Sequence, residues 1–565
     1  MNPRKFTLQL FISILFVFCV SSCGSNNSEV VTDPEDMDQQ TSKRIMSVLE
    51  TAAQSNGKVD DSLSLKMTST VKDFYTRNEY STVWSHMEKW DPLTDTIIRF
   101  IRASEYYGLF PNQYHLNTIL SVKQTLDGDS VKRMDPTLWT RADLAFTDAF
   151  MLLVKDLKKG RIGTDSTFLK KTKQTPEKDL YFTSLKNLFE QQKFSSLVAS
   201  LEPSLKGYVE LKAALPGFLD SMDRRVYTYV TYPFKPNDAK DSSFFIKLLQ
   251  KRLKESNCLE PAVKSTDSLQ LAVGIKKYQQ QKGIKADGKI SAPLIKNMNG
   301  TDLERFKRIA ITLDRYKQMP AEMPEKYIWV NLPSYFMQVY DNDSLVIESK
   351  IICGKPQTRT PLLYSVISDM VTYPTWTVPN SIIKKQYLPK LKENPYYLSN
   401  IGLKLMDADG EIVDPGTINW SKYTKGIPYK VVQGSGDDNA LGVLKFNFSN
   451  PYSVYLHDTN ERYLFKNASR ALSHGCVRVQ EWDDLAYYIA RNDSMNLKDG
   501  DDLKYNSDSI RTWLENKEKK RIAVKNGIPL FIAYFSCEVK NGKLRFYDDV
   551  YGDDKVMREK YFSAK

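Results

Sequence analysis

The chain has 565 residues, more than one hydrophobic core can serve, so about three domains are expected. Its 41% hydrophobic and 26% charged residues describe a folded protein and exclude a disordered one. The formal charge of +12 is not concentrated: acidic residues run throughout and no dense basic stretch appears, which argues against a nucleic-acid-binding protein.

Arg4 and Lys5 precede an apolar run from Phe6 to Val20, too short for a permanent membrane span. The run ends in Val20-Ser21-Ser22-Cys23-Gly24, which resembles a bacterial lipoprotein signal. On that resemblance residues 1–22 are removed, Cys23 is lipidated, and the chain reaches a membrane through that anchor. The alternative is a simple secretory signal with an incidental cysteine. Gly24, where Asp would favour inner-membrane retention, points to the outer membrane. Residues 23–40 are polar, acidic and aperiodic, and read as a flexible tether. Of the later cysteines, Cys353 and Cys537 sit in apolar strand-like runs and read as core. No Cys-x-x-Cys occurs, so zinc and thioredoxin-like readings lack support and no metal or cofactor is expected. Pairing among Cys258, Cys353 and Cys537 stays open.

Residues 41–240 read as helical. Phe74-Tyr75, Trp84, Ile97-Ile98 and Ile101 recur at helical spacing, and Gly108-Leu109-Phe110-Pro111 breaks the pattern. Further helices are expected near Arg141–Leu157 and Asp179–Gln192. His86 and His115 are isolated and read as structural or surface residues. Residues 241–300 form a small three-helix unit: Phe245, Leu249 and Leu253 on one face, Leu269, Ala272 and Val273 on the next, and Ser291 capping a third. An amphipathic helix over 301–322 links this unit to a β-rich region, 323–500. There Tyr327–Leu332, Phe336–Tyr340, Ser344–Cys353 and Met370–Val378 have strand length and composition, as expected of a sandwich or barrel-like sheet. Residues 380–426 interrupt it, with a hairpin expected around Asp407–Ile412. Such an insertion beside an active site is a lid or a decoration. Residues 501–565 add a helix and a β-hairpin turned at Asn541-Gly542.

The chemistry concentrates in Leu456-His457-Asp458-Thr459 and Leu472-Ser473-His474-Gly475-Cys476-Val477-Arg478. These hold two of the four histidines in the chain. Pro451–Leu456 alternates like a strand that ends at His457, and Ala471–Val479 is a second strand-like unit. If the two are adjacent, His457 meets Cys476. A cysteine nucleophile needs a base and oxyanion donors. From spacing alone, either His457 or His474 takes the thiol proton, and backbone N–H groups at Gly475 and Cys476 hold the oxyanion. A lone cysteine would instead read as a core residue; the two histidines are what change the reading.

His457, fifteen intervening residues, then Ser473-His474-Gly475-Cys476-Val477-Arg478 resemble the signature of the YkuD-type L,D-transpeptidase catalytic domain. Phe74-Tyr75 with Trp84, Tyr107-Gly108-Leu109, Asp148-Ala149-Phe150 with Lys159-Gly160-Arg161, and Tyr208-Val209-Glu210-Leu211 resemble, in that order, the helical scaffold of the large YcbB-like subclass. Gln250, Leu253, Ala272-Val273, Tyr278-Gln279, Gly283 and Asp287-Gly288 resemble a peptidoglycan-binding module, and 380–426 resembles a capping subdomain. The resemblance implies a multidomain α+β protein: helical N-terminal scaffold, three-helix peptidoglycan-binding-like module, and mostly-β catalytic domain with a capping insertion.

It further implies a cell-envelope acyltransferase of cell wall biogenesis, with peptidoglycan stem peptides as partners and no nucleic acid. Cys476 would be the nucleophile and His457 the proton acceptor and donor. Asp458 would orient His457 through its backbone carbonyl, Gly475 would lend an oxyanion donor, and His474 would support. Arg478 is read equally as a contact to a substrate carboxylate or as a structural ion pair, and Tyr455 and Trp376 as pocket lining or core. The product would be a 3→3 cross-link made through a thioester. The alternatives are a carboxypeptidase or endopeptidase with the same thioester chemistry, and a non-catalytic tether between wall and membrane.

Overall fold

The computed structural model describes residues 30–162, 179–231, 239–262, 268–497 and 504–562. The expected leader 1–22 and the lipidated Cys23 lie outside the described residues. The chain divides into two compact units, one of residues up to 98 with 112–151, the other of 99–111 with 152–565.

In the first unit, helices Met37–Gln54, Thr68–Arg77 and Leu116–Gly128 and the first part of Pro136–Lys158 share a core. Trp139, Ala142, Phe146, Ala149 and Phe150 recur at three- and four-residue spacing and are all buried. Trp84 stacks on Phe146 at 5.5 Å between ring centroids. Directly after Trp84 comes a short hairpin of β1 (Ser85–His86) and β2 (Lys89–Trp90). The tether is shorter than expected. Val31 donates its N–H to the Met134 carbonyl, and Met37 is fully buried against Val122, Leu126, Trp139 and Ala142, so apolar burial holds the chain from that point. His86 and His115 pair with Asp38 and Asp148 at 2.7 and 2.6 Å.

The second unit includes three helices, Ala239–Glu255, Ser268–Gln281 and Ala292–Asn299, around Leu249, Leu253, Leu271, Ile275, Tyr278 and Met298. Ser291 caps the third by accepting the Leu294 N–H at 3.3 Å. Helix Asp302–Tyr316 follows and, with Lys206–Ser221, packs Phe306, Ile309, Leu313 and Leu215 on the outer face of the sheet at Phe531 and Phe535.

The strands of this unit are β3 (Lys326–Asn331), β4 (Phe336–Asp341), β5 (Ser344–Gly354), β6 (Leu363–Thr372), β7 (Trp376–Thr377), β8 (Leu403–Met406) and β9 (Lys430–Gln433). After these come β10 (Leu444–Phe448), β11 (Leu456–His457), β12 (Ala471–Ser473), β13 (Val477–Val479), β14 (Arg521–Ala523), β15 (Pro529–Ala533), β16 (Cys537–Lys540) and β17 (Lys543–Phe546). The main sheet runs β10-β11-β13-β5-β4-β3-β15-β6, and β6 pairs again with β10, so these strands close on themselves. Alternate residues such as Leu444, Phe446, Phe448, Leu456, Val477 and Val479 fill the interior, where Leu485, Ala486 and Ile489 of helix Trp482–Met495 join them. Asn541 and Gly542, at φ 53° and 70°, join β16 to β17.

Two local expectations change. The strand expected over Met370–Val378 breaks at Tyr373, whose φ of 43° turns the chain between β6 and β7. The strand expected over Pro451–Leu456 shrinks to Leu456–His457, because the Asn450 side-chain carbonyl accepts the Tyr452 and Val454 N–H groups and folds 450–454 into a turn. The hairpin expected around Asp407–Ile412 forms but is short, with the Met406–Ile412 bridge flanked by the Asp407 N–H to the Glu411 carbonyl at 3.0 Å and the Val413 N–H to the Leu405 carbonyl at 2.9 Å; β8 also pairs with β9. The insertion builds its own core from Ile383, Leu388, Leu391, Leu398, Trp420 and Val431, with a β7-β9-β8 sheet beside it.

In the first unit, Asp143 is buried and accepts from the Tyr75 hydroxyl and, at 3.1 and 2.9 Å, from the Val83 and Trp84 N–H groups. Burial pushes its carboxyl up to about 6. Asp143→Ala strands those donors and is expected to destabilise the fold by about 3 kcal/mol, read as a lowered midpoint in denaturant unfolding.

Candidate active site

The period of two along each strand decides which side chains meet. Leu456 pairs with Val477 and His457 with Arg478 in the parallel β11–β13 ladder. Lys445 of β10 pairs with His457 from the other side. Leu444, Phe446, Leu456, Val477 and Val479 point into the core, which leaves Lys445, His457 and Arg478 in a row on the opposite face. Tyr455 and Cys476 stand one step back on the same face, in line with each other; Val477 donates its N–H to the Tyr455 carbonyl at 3.1 Å.

Cys476 sits at the end of a tight turn. Gly475 has φ 128°, a conformation that side chains rarely adopt. Ser473 Oγ donates to the Cys476 carbonyl at 2.6 Å and accepts the Gly475 N–H at 3.1 Å. The Gly475 carbonyl accepts from Thr360 Oγ1 at 2.8 Å, and Thr360 Oγ1 in turn accepts the Gly354 N–H at 2.9 Å. Tyr551 closes this brace: its hydroxyl donates to the Gly354 carbonyl at 2.8 Å and accepts the Thr360 N–H at 3.1 Å. The expected oxyanion role of the Gly475 N–H is therefore corrected, since Ser473 already occupies that donor. What Gly475 contributes is the backbone bend.

His457 is buried. Burial first, and then the Arg478 charge, hold its imidazole down at about 3, while the carbonyls of Asp458 and Leu441 favour its protonated form. Among the described residues its Nδ1 has no hydrogen bond of normal geometry, while the Asp458 carbonyl, expected to orient the ring, lies beside it and favours its protonated form. The Asp458 carboxylate is engaged elsewhere, with the Val443 N–H at 3.0 Å and Arg462 Nε at 3.0 Å. It lies so close to Gly442, at φ 63°, that a Cβ there would come within 2.2 Å of Oδ2. Gly442 thus lets Asp458 fix the turn that carries the Leu441 carbonyl.

The Cys476 thiol points at the Ser453 carbonyl, 4.0 Å away. Burial raises its pKa, and the Tyr455 N–H and hydroxyl, Lys445 and Arg478 oppose that rise. The Tyr455 hydroxyl lies against the sulfur and accepts from the Trp376 side chain, so Tyr455 and Trp376 both line the thiol. Tyr455 also meets the His457 ring at 5.5 Å between centroids. Thiol and imidazole are thus both neutral at rest, and no hydrogen bond joins them. Arg478 Nη1 pairs with Glu461 Oε2 at 2.7 Å. His474 is exposed, and its Nε2 accepts from the Gln386 amide of the insertion.

Cys258, Cys353 and Cys537 are free and buried. Burial pushes the Cys353 thiol up to about 11 and that of Cys537 up to about 12. Among the described residues no group of three His, Cys, Asp or Glu side chains is placed to hold a metal ion. Sequence reasoning missed Thr360, Tyr551 and Gln386. None carries a local signal: Thr360 and Tyr551 lie 191 residues apart and meet only through the fold.

Thr360→Val leaves the Gly475 carbonyl and the Gly354 N–H unpaired. It is expected to lower both the melting temperature and, by about tenfold or more, the turnover, whereas Thr360→Ser keeps most of each.

Residues 325–497 match the family model of the YkuD L,D-transpeptidase catalytic domain, and residues 69–215 that of a Scaffold domain. A relative from Haemophilus influenzae, named as an L,D-transpeptidase candidate, is 36% identical over 251 residues, 44% of this chain and 49% of its own. The chain therefore spans about half the length of the curated relative it matches. An L,D-transpeptidase structure from Mycobacterium smegmatis is 12% identical over 37% of this chain and 58% of its own, with a TM-score of 0.17. The catalytic domain of an E. faecium L,D-transpeptidase acylated by ertapenem is 14% identical over 38% of this chain and 99% of its own, also at 0.17. Residues 325–497 are accordingly an L,D-transpeptidase catalytic domain of the YkuD type, and with the Scaffold domain at 69–215 they fit the large YcbB-like subclass.

Proposed function

We propose that the protein forms 3→3 cross-links in peptidoglycan through a thioester on Cys476. The observation that carries this reading is the shared face of Cys476, Tyr455 and His457 inside the matched catalytic domain. The Cys476 sulfur attacks the carbonyl carbon of the third stem residue, a diamino acid, in a tetrapeptide donor. Its proton passes to His457, which then protonates the leaving nitrogen as the bond to the terminal D-Ala breaks. The side-chain amine of a second stem attacks the thioester. The amide forms, the sulfur leaves, and the amine's proton returns to the thiol by way of His457.

His457 suits the role of base better than His474. It is neutral and lies on the face of the thiol, whereas the His474 Nε2 lone pair is already taken by Gln386. With Gly475 committed to Ser473, the Cys476 N–H is the remaining backbone donor of the expected pair. Arg478 keeps its second guanidinium nitrogen for a carboxylate of the stem while Nη1 holds Glu461. In this reading residues 241–300 hold the wall, the insertion caps the stem, and Cys23 is lipidated and ties the chain to a membrane, which the Val20–Gly24 motif supports.

The test is mass spectrometry of protein mixed with tetrapeptide-bearing muropeptides, following both protein and products. A transient mass gain on Cys476, release of D-Ala and a 3→3 dimer are expected, and all three vanish in Cys476→Ala. The adduct with only a tripeptide product would make the protein a hydrolase. A folded protein with a free thiol but neither adduct nor product would leave only the tether.

A further inference from the structure

Lys445 sits where a surface lysine has no reason to be. It is half-buried on β10, directly across the ladder from His457, with its Nζ 4.0 Å from the centroid of the Tyr455 ring. Among the described residues no carboxylate lies within ion-pair distance of it. The nearest acid it senses, Asp369 of β6, is already held by Arg521 Nε at 3.1 Å, Asn447 Nδ2 at 2.7 Å and Ser368 Oγ at 2.9 Å. Even half-buried, an ammonium without a counter-ion is costly. Here the Tyr455 ring face gives partial compensation. The anion that would complete it is the one that forms next to the Tyr455 hydroxyl.

We infer that Lys445 is a positioning residue of the reaction: its ammonium, seated on Tyr455, serves as the counter-charge that stabilises the thiolate of Cys476. This rests on the thiol chemistry proposed above and adds a residue to it. The groups facing the thiol from each neighbouring element narrow the choice. From β13 comes Arg478, its charge shared with Glu461. From β11 comes His457, neutral at rest, and just before it Tyr455, whose phenol burial holds above its ordinary range. From the nucleophile turn comes His474, lowered by burial and by Lys355. From β14 comes Arg521, held by Asp369. Lys445 is the cation on this face without a carboxylate of its own. Burial lowers the pKa of its ammonium, and negative charge on the Cys476 sulfur opposes that lowering.

The pH dependence of Cys476 alkylation by iodoacetamide, read by peptide mass, tests this without any muropeptide. The probe is uncharged, so loss of a substrate contact cannot mimic the effect. Lys445→Met is expected to move the midpoint up by about one pH unit, and Lys445→Arg to restore most of it. A purely structural lysine would change melting temperature and leave the midpoint alone. Lys445→Gln, which keeps a long polar side chain, serves if Lys445→Met does not fold. Coincident profiles for wild type and a folded, uncharged variant would overturn the inference, as would a Cys476 that does not react in native wild-type protein. A wild-type thiol that alkylates with the expected Lys445 dependence, yet forms no adduct with tetrapeptide, would sink the proposed function and leave Lys445 standing.

Discussion

Leu456 lies beside Val477 and His457 beside Arg478, in parallel, and a slip of one residue in that ladder would turn His457 and Cys476 to opposite faces. The alternation is what prevents the slip. Leu456, Val477 and Val479 are buried on the inner face with Leu444 and Phe446, so a shift would drive apolar side chains into water and Arg478 into the core. The hydrophobic core thereby sets the geometry of the polar row above it. Lys445, His457 and Arg478 are aligned because the residues between them are apolar.

Beside the two cations of that row, His457 and Cys476 are both uncharged at rest. His457 is buried and held neutral, and burial pushes Cys476 toward the thiol against the opposing pull of Lys445 and Arg478. In the mechanism we propose, the pair is set up for a proton that moves when the bond forms, and Tyr455, with Lys445 seated on its ring, would receive the negative charge as it develops on sulfur. The same economy governs the nucleophile turn. Ser473, Thr360 and Tyr551 satisfy its backbone groups, so a backbone bent at φ 128° persists without being left unpaired. Its cost is the Gly475 N–H, which goes to Ser473.

Much of this was legible in the chain. Helical spacing in 41–240, strand-length runs after Tyr327, and the two motifs around His457 and Cys476 are local signals. They led to an α+β architecture with a β-rich catalytic domain and to the pairing of two strands at the site. What stayed illegible was long-range. Thr360 and Tyr551 matter only because β5 and the C-terminal segment converge on Gly475. Lys445 carries no local signal either, because its face depends on which strand lies beside it. Residues 30–40 look polar in isolation, and only the fold shows that Met37 packs against Val122, Leu126, Trp139 and Ala142. Strand ends were misjudged where one side chain, Asn450, or one backbone angle, at Tyr373, overrode the local pattern.

The central claim is that the β11–β13 register makes His457 the base for Cys476. Single-turnover acylation by a tetrapeptide donor, followed by intact mass in His457→Gln, tests it most directly. The account predicts that the thioester on Cys476 forms at least about a hundredfold more slowly than in wild type, in a protein that remains folded. Acylation at the wild-type rate would contradict it, and the proton would have to leave the thiol by another route.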